Sequence, residues 1–150
     1  MEERINLATA VPPAYQAVAE LEKRMSSAVE AAGIDKGFAH LLRLRASQIN
    51  GCAFCVRLHT RDALASGESS DRISVLPAWR ETGYFTAKER AALALVEAIT
   101  LVADGQVADA VYAEAAGVLG EQEVAAVEWL AVVINAWNRI AISSRYPVAA

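Results

Sequence analysis

The 150-residue chain is long enough to bury a sizeable core and is expected to form one domain over residues 1–150. A formal net charge of −4 and a pI near 5.2, with no basic cluster, argue against nucleic acid as a partner. Hydrophobic residues make up 55% of the chain, yet apolar runs such as Leu130 to Ile134 are far short of the roughly 20 residues of a membrane span. Apolar surface in excess of what one subunit hides then predicts a homo-oligomer.

Met1-Glu2-Glu3-Arg4 is acidic and lacks the apolar core of a secretory signal, so a cytoplasmic location is expected. From there the chain reads as helices throughout. Pro12-Pro13 suits a first turn, and the first helix is expected to run from there to near Gly33. Its apolar stripe is Tyr15, Val18, Leu21, Met25 and Val29. Asp35 can cap a second helix that carries Phe38, Leu41, Leu42, Leu44 and Ile49 up to Asn50-Gly51. A third is expected from about Cys52 to Ser66, stopped at Gly67.

Ser69-Ser70-Asp71 starts a short helix that breaks before Pro77, and residues 77–85 read as a linker or short turn. Thr86 and Glu89 match a capping box, followed by an apolar helix to about Ala103 and a turn at Asp104-Gly105. Two further helices are expected, from about Val107 to Leu119 and from Glu121 to about Ser143. The expected fold class is an all-α bundle.

Both cysteines and one of the two histidines lie within eight positions, in Cys52-Ala53-Phe54-Cys55-Val56-Arg57-Leu58-His59. On a helix, Cys52, Cys55 and His59 fall at roughly 0°, 300° and 340°, one narrow face. In a first turn the unpaired N–H groups and the dipole favour a thiolate. An imidazole one turn on activates it further, and a second thiol can trap its oxidised form. Two cysteines three apart read as a reactive pair or a metal site in a reducing compartment.

The pattern Cys52-x-x-Cys55-x-x-x-His59, preceded by Ser-Gln-Ile-Asn-Gly, resembles the alkylhydroperoxidase D-like branch of the carboxymuconolactone decarboxylase superfamily. Residues 46–55, His59-Thr60, 78–81, 89–93 and 134–139 extend the likeness over most of residues 12 to 145. The resemblance implies an alkylhydroperoxidase D-like helical bundle assembled as a trimer or hexamer. It also implies a disulfide-forming pair that reduces hydrogen peroxide or alkyl hydroperoxides and is recharged by a dithiol partner, thioredoxin-like or lipoyl. No cofactor or metal is expected on that reading. Cys55 would attack the peroxide, Cys52 would resolve the product, and His59 would relay protons.

His59, four residues after Cys55, is its helical neighbour, in agreement with that assignment. Cys52 lies nearer the helix N-terminus, which argues for the other thiol, and the sequence does not choose. Two positions depart from the family pattern. His40 stands where a glutamate is typical, twelve residues before Cys52, and can accept a proton without supplying a fixed negative charge. Phe54 stands where the best-known peroxidases carry a histidine.

Two other readings are open. His40, Cys52, Cys55 and His59 make a plausible tetrahedral zinc composition, which would suit a non-catalytic zinc-stabilised or oligomeric binding protein. Lactone decarboxylation, as the resemblance goes, belongs to a branch that does not rely on a Cys-x-x-Cys pair. Asn135, Trp137, Asn138 and Arg139 read as packing and subunit contacts, and Trp79 and Tyr84 as core or interface anchors. Glu97 and Glu128, on otherwise apolar helices, read as solvated or interface carboxylates, with a buried carboxylate near the site as the alternative, and Ser47 and Gln48 as hydrogen-bonding neighbours of the cysteines.

Overall fold

The computed structural model describes residues 2–150, and these residues form helices and no strand, as the periodicity predicts. The α-helices are α1 (Leu7–Ala10), α2 (Pro12–Ala31), α3 (Lys36–Asn50), α4 (Ala53–Ala65), α5 (Ser70–Val75), α6 (Ala87–Thr100), α7 (Asp109–Val118) and α8 (Glu121–Ser143). A 3₁₀ segment, Leu76–Glu81, follows α5.

Helix α3 is the hub. It packs on α4, α6 and α8, and α2 lies along α8. Leu41, Leu42 and Leu44 of α3 are all at 0% exposure, so apolar side chains point in several directions rather than along one stripe. Each such burial is worth about 1.5–3 kcal/mol relative to exposure. Asp35 caps the helix as predicted, its carboxylate accepting the Phe38 N–H at 3.0 Å. The Thr86–Glu89 capping box also forms, with bonds of 2.9 and 3.2 Å.

Several boundaries differ from expectation. Helix α1 has no counterpart in the sequence reading. Asn6 caps it, and its Leu7 N–H donates to Ser144 Oγ at 3.2 Å, which ties it to the far end of α8. Helix α6 stops at Thr100 rather than Ala103, and α7 starts at Asp109 rather than Val107.

The larger correction is at residues 77–85. Leu76 and Trp79 are buried at 0% and 4%, and the stretch is held from below by charge. Trp79 Nε1 donates to the Glu97 carboxylate, which also takes two bonds from Arg80 at 3.0 and 3.1 Å. The Arg90 guanidinium donates to the carbonyls of Trp79, Arg80 and Thr82. Pro77 and Gly83 read locally as loop punctuation. Tertiary bonds from α6 make the segment a fixed wall, and Glu97, with 12% of its side chain exposed, is a paired structural carboxylate rather than a solvated one.

By length and composition α8 would pass for a membrane span, with a mean hydropathy of 1.2. It is instead packed against α2, α3 and α6, with Leu130 and Val133 at 0% exposure. Its outer face carries exposed Trp129 (52%) and Val132, and Tyr112 of α7 is exposed too.

Candidate active site

The site is built around a two-residue joint. Gly51 ends α3 at φ +68°, a conformation that suits glycine, and Cys52 caps α4. Cys52 is therefore the N-cap rather than the first helical residue, and Cys55 sits in the first turn. The Cys55 N–H donates to Cys52 Sγ at 3.3 Å. The two sulfurs are joined in a disulfide, with Cα atoms 5.3 Å apart. Both residues are buried, at 1% and 3%, beneath Ala141 of α8 and an edge-to-face pair of Phe54 and Tyr146.

A polar cluster pins the joint to α8. Asn50 Nδ2 donates to Asn135 Oδ1 and to Asn138 Oδ1, both at 2.9 Å. Asn138, at 0% exposure, donates in turn to Ser47 Oγ at 3.0 Å, and Ser47 Oγ donates to the Arg43 carbonyl at 2.8 Å. Asn135 Nδ2 donates to Thr100 Oγ1 and the Ala131 carbonyl. The Cys52 N–H donates to the Ser47 carbonyl at 3.0 Å. Asn135 and Asn138 thus serve packing, as expected, and Ser47 does touch the cysteine turn. Gln48 bonds Arg45 instead.

On the opposite side a cavity of about 390 Å³ opens onto Cys55, His40 and His59. Cys52 is not on its wall. His59 sits one turn after Cys55, and His40 of α3 lies against it with ring centroids 5.7 Å apart and planes 27° from parallel. Around them the wall is largely apolar, with Tyr15, Leu58, Ile134 and Trp137. Glu22 of α2 reaches in, accepting from Trp137 Nε1 at 3.2 Å and from Arg43 Nη2 at 3.3 Å. Asp62 stands at the mouth with its side chain 42% exposed, Oδ2 lying 4.0 Å from His59 Nδ1.

Three buried side-chain nitrogens in the described residues lack a hydrogen-bond partner: His40 Nδ1, Arg43 Nε and His59 Nδ1. All three belong to residues that line this cavity. Burial drives the His59 pKa down to about 3, with further lowering from the charge of Arg43 and from His40. His40 is lowered for the same reasons, burial first and Arg43 second. Burial also lowers Arg43, and Glu22 counteracts it. Both imidazoles are therefore neutral near pH 7 and offer a lone pair.

All four residues singled out from sequence, Cys52, Cys55, His59 and His40, meet in one place. The four-ligand zinc set drawn from them is not what the oxidised chain assembles. Its sulfurs are bonded to each other and supply no thiolate, and Asp62 is the residue that joins the two histidines. Glu22, Arg43, Asp62 and Tyr15 escaped the sequence reading as site residues. Asp62 had a local signal, three residues after His59 on one helix face. Glu22 and Arg43 had none, because α2 meets α3 only through the tertiary fold. Trp137, read as packing, is also on the cavity wall.

Comparison with known proteins places this arrangement in context. The sequence profile of the carboxymuconolactone decarboxylase family matches residues 12–98. The uncharacterized protein YdfG of Bacillus subtilis (strain 168) is 34% identical over 143 residues, 95% of each chain. A crystal structure of an Agrobacterium tumefaciens protein of unknown function, proposed to be the antioxidant defence protein AhpD, superimposes with a TM-score of 0.90. It is 36% identical, with 99% of each chain covered.

Proposed function

The chain belongs to the carboxymuconolactone decarboxylase family, in its AhpD-like branch, and we propose that it is a thiol-dependent peroxide reductase. The observation that carries this reading is a cysteine disulfide facing, through Cys55, a cavity that holds two neutral and unpartnered imidazoles.

In the reduced enzyme the Cys55 proton passes to His59, and the thiolate formed beside it stabilises the imidazolium that burial otherwise disfavours. The thiolate attacks one oxygen of hydrogen peroxide or a small alkyl hydroperoxide, so that an S–O bond forms as the O–O bond breaks. The departing hydroxide or alkoxide recovers a proton from His59 and leaves as water or alcohol. Cys52 then attacks the Cys55 sulfenic acid, which forms the disulfide and releases water. An external dithiol, thioredoxin-like or lipoyl, reduces the pair and is itself oxidised. It attacks the cavity-facing Cys55 sulfur, and Cys52 departs as a thiolate held by the Cys55 N–H at the helix N-cap.

Access bears on the choice between the two thiols. Cys55 is on the cavity wall and Cys52 is sealed behind it, which favours Cys55 as the attacking group. His40 replaces the usual carboxylate, and Glu22 and Asp62 bring carboxylates to the same cavity from α2 and α4. The exposed Trp129, Val132 and Tyr112 favour assembly into a trimer or hexamer, which light scattering on the purified chain reads directly.

The test is single-turnover oxidation of the pre-reduced protein by one equivalent of peroxide. Wild type should lose two thiols per subunit and recover both with a dithiol. Cys55→Ser should be inert. Cys52→Ser should stop at a sulfenic acid that dimedone traps. A Cys55→Ser protein that still consumes peroxide would exclude this mechanism.

A further inference from the structure

We infer that His40, His59 and Asp62 form a binding site for a divalent transition-metal ion, distinct from the cysteine pair and present in the disulfide form of the protein. One ligand atom from each residue lies within 4.8 Å of the other two. A tetrahedral ion with bonds of about 2.0–2.2 Å needs its ligand atoms about 3.3 Å apart, so the set is open by no more than about 1.5 Å. Asp62, with 42% of its side chain exposed at the cavity mouth and Oδ2 already 4.0 Å from His59 Nδ1, has room to rotate toward the imidazoles.

The chemistry of the three groups agrees with the geometry. Each imidazole presents a buried Nδ1 with no hydrogen-bond partner, an arrangement that costs about 1–3 kcal/mol per group unless something else engages it. Two imidazole nitrogens and one carboxylate oxygen suit zinc, cobalt or iron(II) better than calcium or magnesium, which take oxygen ligands. The local charge also permits a dication. Arg43 and Lys36 are the cations that act on His40; the Arg43 charge is met by the Glu22 carboxylate at 3.3 Å, and Asp62 is unpaired by any cationic Lys or Arg side chain in the described residues. A fourth position faces the cavity, where water or a small anion can complete the shell.

The site has a consequence that rests on the peroxidase reading. An ion on His59 takes the lone pair that otherwise receives the Cys55 proton, so metal binding suppresses peroxide turnover. Binding itself does not depend on that reading, and the two can be tested apart.

The first experiment titrates zinc, and cobalt as its spectroscopic substitute, into the full chain after complete oxidation and treatment with a chelator. Saturable binding of one ion per subunit is expected, with visible cobalt bands and no thiolate charge-transfer band. Asp62→Ala and His40→Ala should each weaken zinc at least tenfold. Asp62→Asn, which keeps the shape, should do the same in a protein whose circular dichroism is unchanged. No saturable binding by the oxidised protein would overturn the assignment. So would binding that all three variants leave intact, or binding that appears only after the disulfide is reduced, which would transfer the ion to the cysteines. In turnover assays zinc should inhibit reversibly and be relieved by chelator. A protein that binds zinc in this way but never turns over peroxide would retain the metal site and lose the peroxidase reading.

Discussion

Two polar clusters flank the Cys52–Cys55 joint, one on α8 and one on the cavity. On the α8 side, Asn50, Ser47, Asn135 and Asn138 hydrogen-bond to one another and to nearby carbonyls, and Asn138 is at 0% exposure. On the cavity side, His40, Arg43 and His59 each leave a buried nitrogen without a partner. A satisfied network holds the joint in one geometry, because any departure strands a buried polar group. An unsatisfied one keeps its imidazole lone pairs available for a proton or an ion and its guanidinium N–H available for a substrate. The same short turn is thus made rigid from one side and reactive from the other.

Replacing His59 by Phe strips the reactive side of its base. Turnover of peroxide should fall by about 10²–10⁴-fold, the usual contribution of a positioned proton carrier. Urea unfolding of the same variant near pH 7 should show no comparable loss, since the phenyl ring leaves no nitrogen unpaired in the cavity. Equal loss of stability and activity would mean that His59 is a packing residue.

Asn138→Ala attacks the other side. It leaves Asn50 and Ser47 short of partners in the interior, and about 2–3 kcal/mol of stability should be lost in urea melts. Turnover should fall as well, because the cysteine joint is no longer held to α8. A change within about 0.5 kcal/mol would show that the network is redundant.

The reactive side also carries a pH dependence of stability. His59 titrates near 6.5 when unfolded and near 3 when folded, so below pH 6.5 the unfolded chain binds the extra proton. The stabilisation is complete above about pH 6.5 and is lost as pH falls toward 3, with a slope of about 1.4 kcal/mol per pH unit for this one proton. The lowered His40 adds to the same trend. Acid titration of wild type and His59→Phe, followed by circular dichroism, should show the shallower slope in the variant. Identical slopes would remove His59 from the acid response.

Much of this molecule is legible in local chemistry. The caps at Asp35 and Thr86 and the stop at Gly51 rest on interactions within four residues, which a sequence displays directly. The Cys52–Cys55–His59 set belongs to the same kind, since one helix brings the three together.

What needed the tertiary structure is everything contributed by a second element. Residues 77–85 look like a linker until Glu97 and Arg90 of α6 take hold of them. Glu22 becomes a cavity residue only because α2 crosses α8 beside α3, and His40 only because α3 lies along α4. The neutral state of both histidines depends on burial by these neighbours, and so does the accessibility of Cys55 rather than Cys52. Spacing along one helix determines which side chains share a face. Only the packing of several helices determines which of them are dry, which are paired, and which are left with chemistry to do.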